Sequence, residues 1–150
     1  MCGPPLVSIG DMALIGRLHP LLVHFPIGLV LIAAVAEVVA MATSLGDWQA
    51  VAVVNVRVGA VFAIVAAIAG WRLASSPGME ATSSLDWHRW LGTIAAVAVS
   101  GAALATAGAR GRSPFALWVY RMTLFWAAVL VAVTGHLGGL LVWGADFLRP

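Results

Sequence analysis

Four apolar stretches, each long enough to cross a lipid bilayer, make up most of this 150-residue chain. They cover about residues 18–41, 49–73, 87–107 and 114–143. A helix needs about 20 predominantly apolar residues to cross a hydrocarbon core of about 30 Å. The pattern therefore predicts four transmembrane helices.

The composition requires lipid as part of the solvent. Hydrophobic residues make up 62% of the chain and charged residues only 9%, and the mean hydropathy is +1.01. A soluble domain carries roughly a quarter charged residues. The chain contains no lysine, and its arginines are spread over loops and helix ends. Because no basic patch results, we expect a lipid bilayer as the surroundings and no nucleic-acid partner.

The connections between the four stretches are short, so neighbouring helices should be antiparallel. We therefore predict an all-α fold, an integral membrane four-helix bundle of up-down-up-down topology, with residues 1–150 forming a single transmembrane domain. Small residues recur in all four stretches and favour close helix packing. Both chain ends and the loop at residues 75–86 then lie at one membrane face, which we name side A. The opposite face is side B.

All four histidines fall in the side A half of this bundle. His19 opens the first helix and His88 opens the third, so both should be shallow. His24 should lie about 7 Å below His19, and His136 about 10 Å below the end of the fourth helix. By depth, His24 therefore pairs with His136, and His19 pairs with His88.

Opposed histidines inside a helix bundle are a common way to hold b-type haem, whose iron takes one axial nitrogen from each side. Ionisable groups deep in a membrane are functional by default, so His24 and His136 are our candidate axial pair. His19 and His88 would hold a second haem, or would be interfacial residues. Three glycines near His136 would clear space for a flat macrocycle, or would serve ordinary helix packing: Gly135, Gly138 and Gly139. Three side A arginines would pair with the haem propionates: Arg17, Arg72 and Arg89.

A second polar cluster is expected in the side B half. Glu37, Arg57 and Arg121 should reach similar depths, with Asn55 nearby. A lone charge is costly in lipid, so Glu37 should pair with one of the two arginines. We favour a structural ion pair that fixes helix register. The alternative is a site for a proton or a quinone headgroup.

Three strings of the sequence resemble a known family: LHPLLVHFPIG at residues 18–28, WHRWLG at 87–92 and TGHLGG at 134–139. The family comprises small bacterial membrane proteins of unknown function, whose members occur joined to, or beside, c-type cytochrome modules. The resemblance covers all four helices. It implies a four-helix fold, haem-linked electron transfer and histidines that face the periplasm. The family motifs carry over to His19, His24, His88 and His136. The chain has no CxxCH, so any covalent haem would belong to a partner.

Our first interpretation is a membrane electron-transfer subunit of the bacterial cytoplasmic (inner) membrane, carrying one or two b-type haems. It would pass electrons between a membrane donor such as quinol and a periplasmic carrier, a c-type cytochrome for instance, or a larger redox complex. No acid–base or nucleophilic set is visible, which favours such a subunit over a stand-alone enzyme. The first alternative is a non-haem copper or iron site, which needs the four histidines to converge. The second is a cofactor-free scaffold subunit of a larger membrane complex.

Overall fold

The computed structural model describes residues 16–109 and 113–144, and in this part of the chain the only regular secondary structure is α-helical. The prediction of an all-α fold is therefore confirmed. In chain order the helices are α1 (His19–Leu22), α2 (His24–Thr43), α3 (Gly46–Ala74), α4 (Ser83–Ala109) and α5 (Pro114–Trp143).

Helices α1 and α2 together form the first membrane span, His19–Thr43. Pro26 has no N–H to donate to the carbonyl four residues earlier, which interrupts the regular helix near Val23. Val23 keeps right-handed helical angles (φ −65°, ψ −24°), so the chain passes from α1 into α2 with little change in backbone conformation. Helices α3, α4 and α5 form the second, third and fourth spans, and all four are long and apolar enough to cross a membrane.

Local sequence signals set the helix ends. The third span begins at Ser83, earlier than the predicted residue 87, because Thr82 Oγ1 accepts a hydrogen bond from the Leu85 N–H at 3.2 Å. The fourth span begins at Pro114, the first-turn position that its missing N–H favours. It continues without interruption to Trp143, through Gly135, Gly138 and Gly139.

The four spans form a ring in which each packs against the next and the fourth packs against the first. Contacts between the start of one span and the end of the next show antiparallel neighbours; for example, Trp71 near the end of the second span bonds to Thr93 near the start of the third. The first and third spans are therefore diagonal to each other, as are the second and fourth. Packing is most extensive between the third and fourth spans and least extensive between the first and fourth.

The bundle core is built mainly from alanine and valine. Val30, Ala33, Val56 and Val99 are completely buried. Large apolar side chains lie on the outside instead; among them are Val35, Leu104 and Trp126, at 65%, 78% and 67% exposed. Small residues inside and large apolar residues outside are the arrangement that a lipid solvent favours, since close backbone approach drives helix association there.

Candidate functional site

Two histidines from diagonal spans meet inside the side A end of the bundle. The ring centroids of His19, in the first span, and His88, in the third, are 6.2 Å apart, and the ring planes are inclined at 77°. Both side chains are partly buried. Their pairing by depth was expected from the sequence. We call His19 and His88 the inner pair.

The other two spans meet the inner pair with glycines. A Cβ at Gly70, in the second span, would lie 2.8 Å from His19 Cε1, and a Cβ at Gly138, in the fourth span, would lie 3.0 Å from His88 Cε1. A real side chain at either position would displace the ring. All four spans therefore contribute to this site, two with imidazoles and two with bare backbone.

The hydrogen bonds of the inner pair leave ring nitrogens available. His19 Nδ1 donates to the Ala66 carbonyl at 2.9 Å, which makes Nε2 the nitrogen with the free lone pair. The Thr134 carbonyl faces the His88 ring, but His88 Nδ1 is buried and makes no hydrogen bond of ordinary geometry within the described residues. Ligating histidines commonly hold one nitrogen on a backbone carbonyl in this way, which fixes the ring for its ligand.

The spacing of the inner pair fits ligation of one metal centre. A nitrogen bound at about 2.0 Å places the imidazole centre about 3.1 Å from the metal, so two opposed rings have centroids about 6.3 Å apart. The observed separation is 6.2 Å. The 77° inclination does not conflict with this role, because two imidazoles that would hold one metal can be rotated relative to each other.

The deeper histidines occupy a different environment. His24 and His136 are both exposed on the outside of the bundle. His24 Nδ1 donates to the Pro20 carbonyl at 2.6 Å, whereas His136 makes no hydrogen bond or ion pair with other described residues. Across residues 16–109 and 113–144, no three His, Cys, Asp or Glu side chains group as metal ligands. The described residues therefore do not form the non-haem metal site that needs all four histidines to converge. The role of His24 and His136 as axial ligands stays a prediction.

Of the three glycines and three arginines predicted at the site, some contact the inner pair or its neighbours and others lie elsewhere. Gly138 contacts the inner pair, Gly135 lies against Ile27 of the first span, and Gly139 faces open space. Arg89 follows His88 directly, contacts Asp86 at 3.4 Å and lies 4.0 Å above the Trp71 ring. Two further arginines are exposed at the side A end: Arg17 and Arg72. A role in pairing with propionates stays a prediction for all three arginines.

The side B half contains the expected ion pair. Arg121 Nε donates to Glu37 Oε1 at 2.8 Å, and Glu37 is completely buried. Tyr120, also completely buried, lies beside Glu37. Arg57 instead donates to Thr106 Oγ1 at 2.9 Å. Asn55 donates to the Val51 carbonyl of its own helix.

An apolar groove of about 690 Å³ runs between the second and third spans, with Trp71 and Thr93 at its side A end and Gly101 further down. The Trp71 indole N–H donates to Thr93 Oγ1 at 2.9 Å, and Thr93 in turn donates to the Arg89 carbonyl. These polar groups are therefore paired with one another. The groove offers hydrocarbon contact along its length.

Fold and composition define a multi-pass membrane protein built as a four-helix bundle. The family model described as "Predicted membrane protein (DUF2231)" matches residues 17–147, and this chain belongs to that family. The match includes all four membrane spans and all four histidines. No curated protein and no solved structure matches the chain.

Proposed function

We propose that this chain is a membrane electron-transfer subunit that binds b-type haem through the inner pair. The observation that carries the proposal is the 6.2 Å separation of the His19 and His88 rings between diagonal spans. Two imidazoles at this separation, one of them held on a backbone carbonyl, have the chemistry of haem ligands. When bound there, haem supplies a one-electron redox centre.

The protein's own residues would orient the ligands and exclude water. The Ala66 carbonyl holds the His19 ring, and Gly70 and Gly138 let the backbones of the second and fourth spans contact the edges of both rings. The core of alanine and valine below the site keeps its surroundings apolar. Burial and hydrogen bonds of this kind tune the redox potential of a haem.

The partners in this proposal follow from the position of the site. The inner pair lies at the side A end of a membrane bundle, within reach of donors dissolved in lipid and of acceptors at the membrane face. We assign a lipid-soluble quinol as donor and a c-type cytochrome or larger redox complex as acceptor. Side A would face the periplasm of a bacterial inner membrane.

A reduced-minus-oxidised absorbance spectrum of detergent-purified protein, with a pyridine haemochrome assay, tests the proposal. We expect the sharp α-band of b-type haem, and its loss in both His19→Ala and His88→Ala. The matched variants His24→Ala and His136→Ala should keep the band. Loss of the band only in the second pair of variants would move the axial role to the deeper histidines.

A single copper or iron ion on the same two histidines is the second candidate. It is favoured by the close contact of both ring edges with the backbones at Gly70 and Gly138, since an ion needs less lateral space than a macrocycle. A flat spectrum combined with one equivalent of copper or iron by elemental analysis would support this candidate. A flat spectrum with no metal would leave a scaffold role.

A further inference from the structure

The two exposed histidines have no role in the inner pair. His24 and His136 lie on the outside of the first and fourth spans, in the part of the bundle that crosses the membrane. An imidazole that faces hydrocarbon is unfavourable unless a ligand or partner satisfies it. Their presence there calls for a binding partner that arrives from the lipid side.

The two side chains lie at nearly the same height beside one seam. A Cβ at Gly135 would lie 3.1 Å from Ile27 Cδ1, so these two positions face each other where the fourth span meets the first. His24 lies three residues before Ile27 and His136 one residue after Gly135, both towards side A. At a rise of about 1.5 Å per residue in antiparallel helices, the two histidines differ in height by about 3 Å.

Helix geometry also turns both histidines to the outer side of this seam. At about 100° per residue, His24 is rotated about 60° from Ile27, away from the buried Val30. His136 is rotated about 100° from Gly135, in the direction opposite to Gly138, which faces the inner pair. The two imidazoles therefore lie on the same outer side of this seam.

The outer side of the seam is open at two glycines. Gly28 of the first span and Gly139 of the fourth have no heavy atom within 4 Å of the positions that a Cβ would occupy, apart from their own chain neighbours. The first and fourth spans also pack less extensively than the other neighbouring pairs. We call the open surface bordered by His24, Gly28, His136 and Gly139 the outer cleft.

The chemistry of the walls defines the ligand. His24 donates through Nδ1 to the Pro20 carbonyl, so its Nε2 is a hydrogen-bond acceptor. His136 is free within the described residues to donate or accept. A matching ligand is flat, enters from the bilayer and carries oxygen atoms on opposite sides of a ring. We propose that the outer cleft binds the headgroup of a lipid-soluble quinol, with a hydroxyl donating to His24 and the second oxygen bonded to His136.

Charge separates a quinol from a phospholipid as the occupant. An anionic phosphate headgroup is bound by arginine or lysine, and none of the residues that border the outer cleft is an arginine or a lysine. Arg72 and Arg89 belong to the second and third spans, and Arg17 lies seven residues before His24, about 10 Å nearer the side A face. The cleft therefore suits a neutral, hydrogen-bonding ring. Binding of the quinol does not need the haem. Only the role of the quinol as electron donor rests on the proposed function.

Histidine NMR tests the proposal directly, because the chain has only four histidines. Protein labelled with ¹³C at the imidazole Cε1 atoms and placed in phosphatidylcholine nanodiscs should give four signals, assigned by single His→Phe variants. Addition of a decyl-tailed benzoquinol should shift the signals of His24 and His136 and leave those of His19 and His88 in place. Decylbenzene, which lacks the oxygens, should shift none.

Variants locate the ligand. His24→Phe and His136→Phe should each weaken quinol binding by roughly three- to tenfold, the effect of one lost hydrogen bond. Gly139→Leu should abolish binding by filling the cleft. The matched variant Gly101→Leu fills the groove between the second and third spans and should leave binding unchanged.

Three outcomes would overturn this assignment. In the first, Gly101→Leu abolishes quinol binding and Gly139→Leu does not. Another is loss of bound haem in His24→Phe and His136→Phe, which would make these residues axial ligands. The last is a second membrane protein that co-purifies with the wild-type chain and is released by His136→Phe, which would make the cleft a helix interface.

Discussion

The two ends of the bundle bury polar groups in opposite ways. At side B, Glu37 and Arg121 pair with each other at 2.8 Å between neighbouring spans, while the second carboxylate oxygen of Glu37 is buried without a hydrogen bond to the described residues. At side A, His19 and His88 approach across the diagonal but are not hydrogen-bonded to each other, and each instead faces a backbone carbonyl. A buried ion pair is costly to break, because removal of one partner leaves the other charge buried and unpaired. The inner pair has no such bond and leaves the Nε2 lone pair of His19 and Nδ1 of His88 unused, which suits it to a third participant.

The largest effect is expected from breaking the ion pair between Glu37 and Arg121. Arg121→Met leaves the completely buried Glu37 without its cation, and we expect a loss of about 3–5 kcal/mol in the free energy of unfolding. Reversible unfolding in mixed micelles, followed by circular dichroism, measures the change.

Two further variants sharpen this result. Adding Glu37→Gln to Arg121→Met removes the orphaned charge and should recover part of the loss. Arg57→Met removes only a bond to the neutral Thr106 hydroxyl, so its effect should be smaller. Equal losses in Arg57→Met and Arg121→Met would contradict a dominant role for the ion pair.

At the inner pair we expect a smaller change in stability but a larger change in the binding of haem or metal. Gly70→Val places methyl groups where the His19 ring lies, and such overpacking costs about 1–3 kcal/mol. The displaced ring should also lower the haem or metal content of the purified protein. The control is Gly101→Val, which enters open space on the third span. If Gly70→Val kept full cofactor content, the position of the His19 ring would be irrelevant to ligation.

The smallest effect is expected beside the site. Thr93→Val removes the hydroxyl that accepts from the Trp71 indole and should cost about 1 kcal/mol of unfolding free energy. The cofactor content should not change, because Thr93 serves the contact between the second and third spans. A fall in cofactor content in this variant would extend the site to the Trp71 side of the bundle.

Hydropathy was sufficient to predict the membrane spans, because every span is a continuous apolar helix whose length the bilayer sets. It was not sufficient for their rotation about the helix axis. The depth argument correctly brought His19 beside His88, since depth depends only on position along a helix. Depth alone gave no sign that His24 and His136 face outwards.

The same limit explains the residues that the sequence did not reveal. Gly70 is one of 16 glycines, and only the rotation of the second span against the first places it against the His19 ring. Tyr120 precedes Arg121 and gave no separate signal, although it is completely buried beside Glu37. The choice of Arg121 over Arg57 as the partner of Glu37 likewise depends on rotation about the helix axes, because the second and the fourth span are both neighbours of the first.

The diagonal position of the inner pair has a thermodynamic consequence. Side-by-side packing holds each helix to its neighbours, whereas His19 and His88 belong to spans that hardly touch elsewhere. A ligand bound by both histidines would connect two diagonal spans of the bundle. Its binding site would exist only when all four helices are assembled. Occupancy of the site and the melting temperature of the bundle should therefore rise together with ligand concentration.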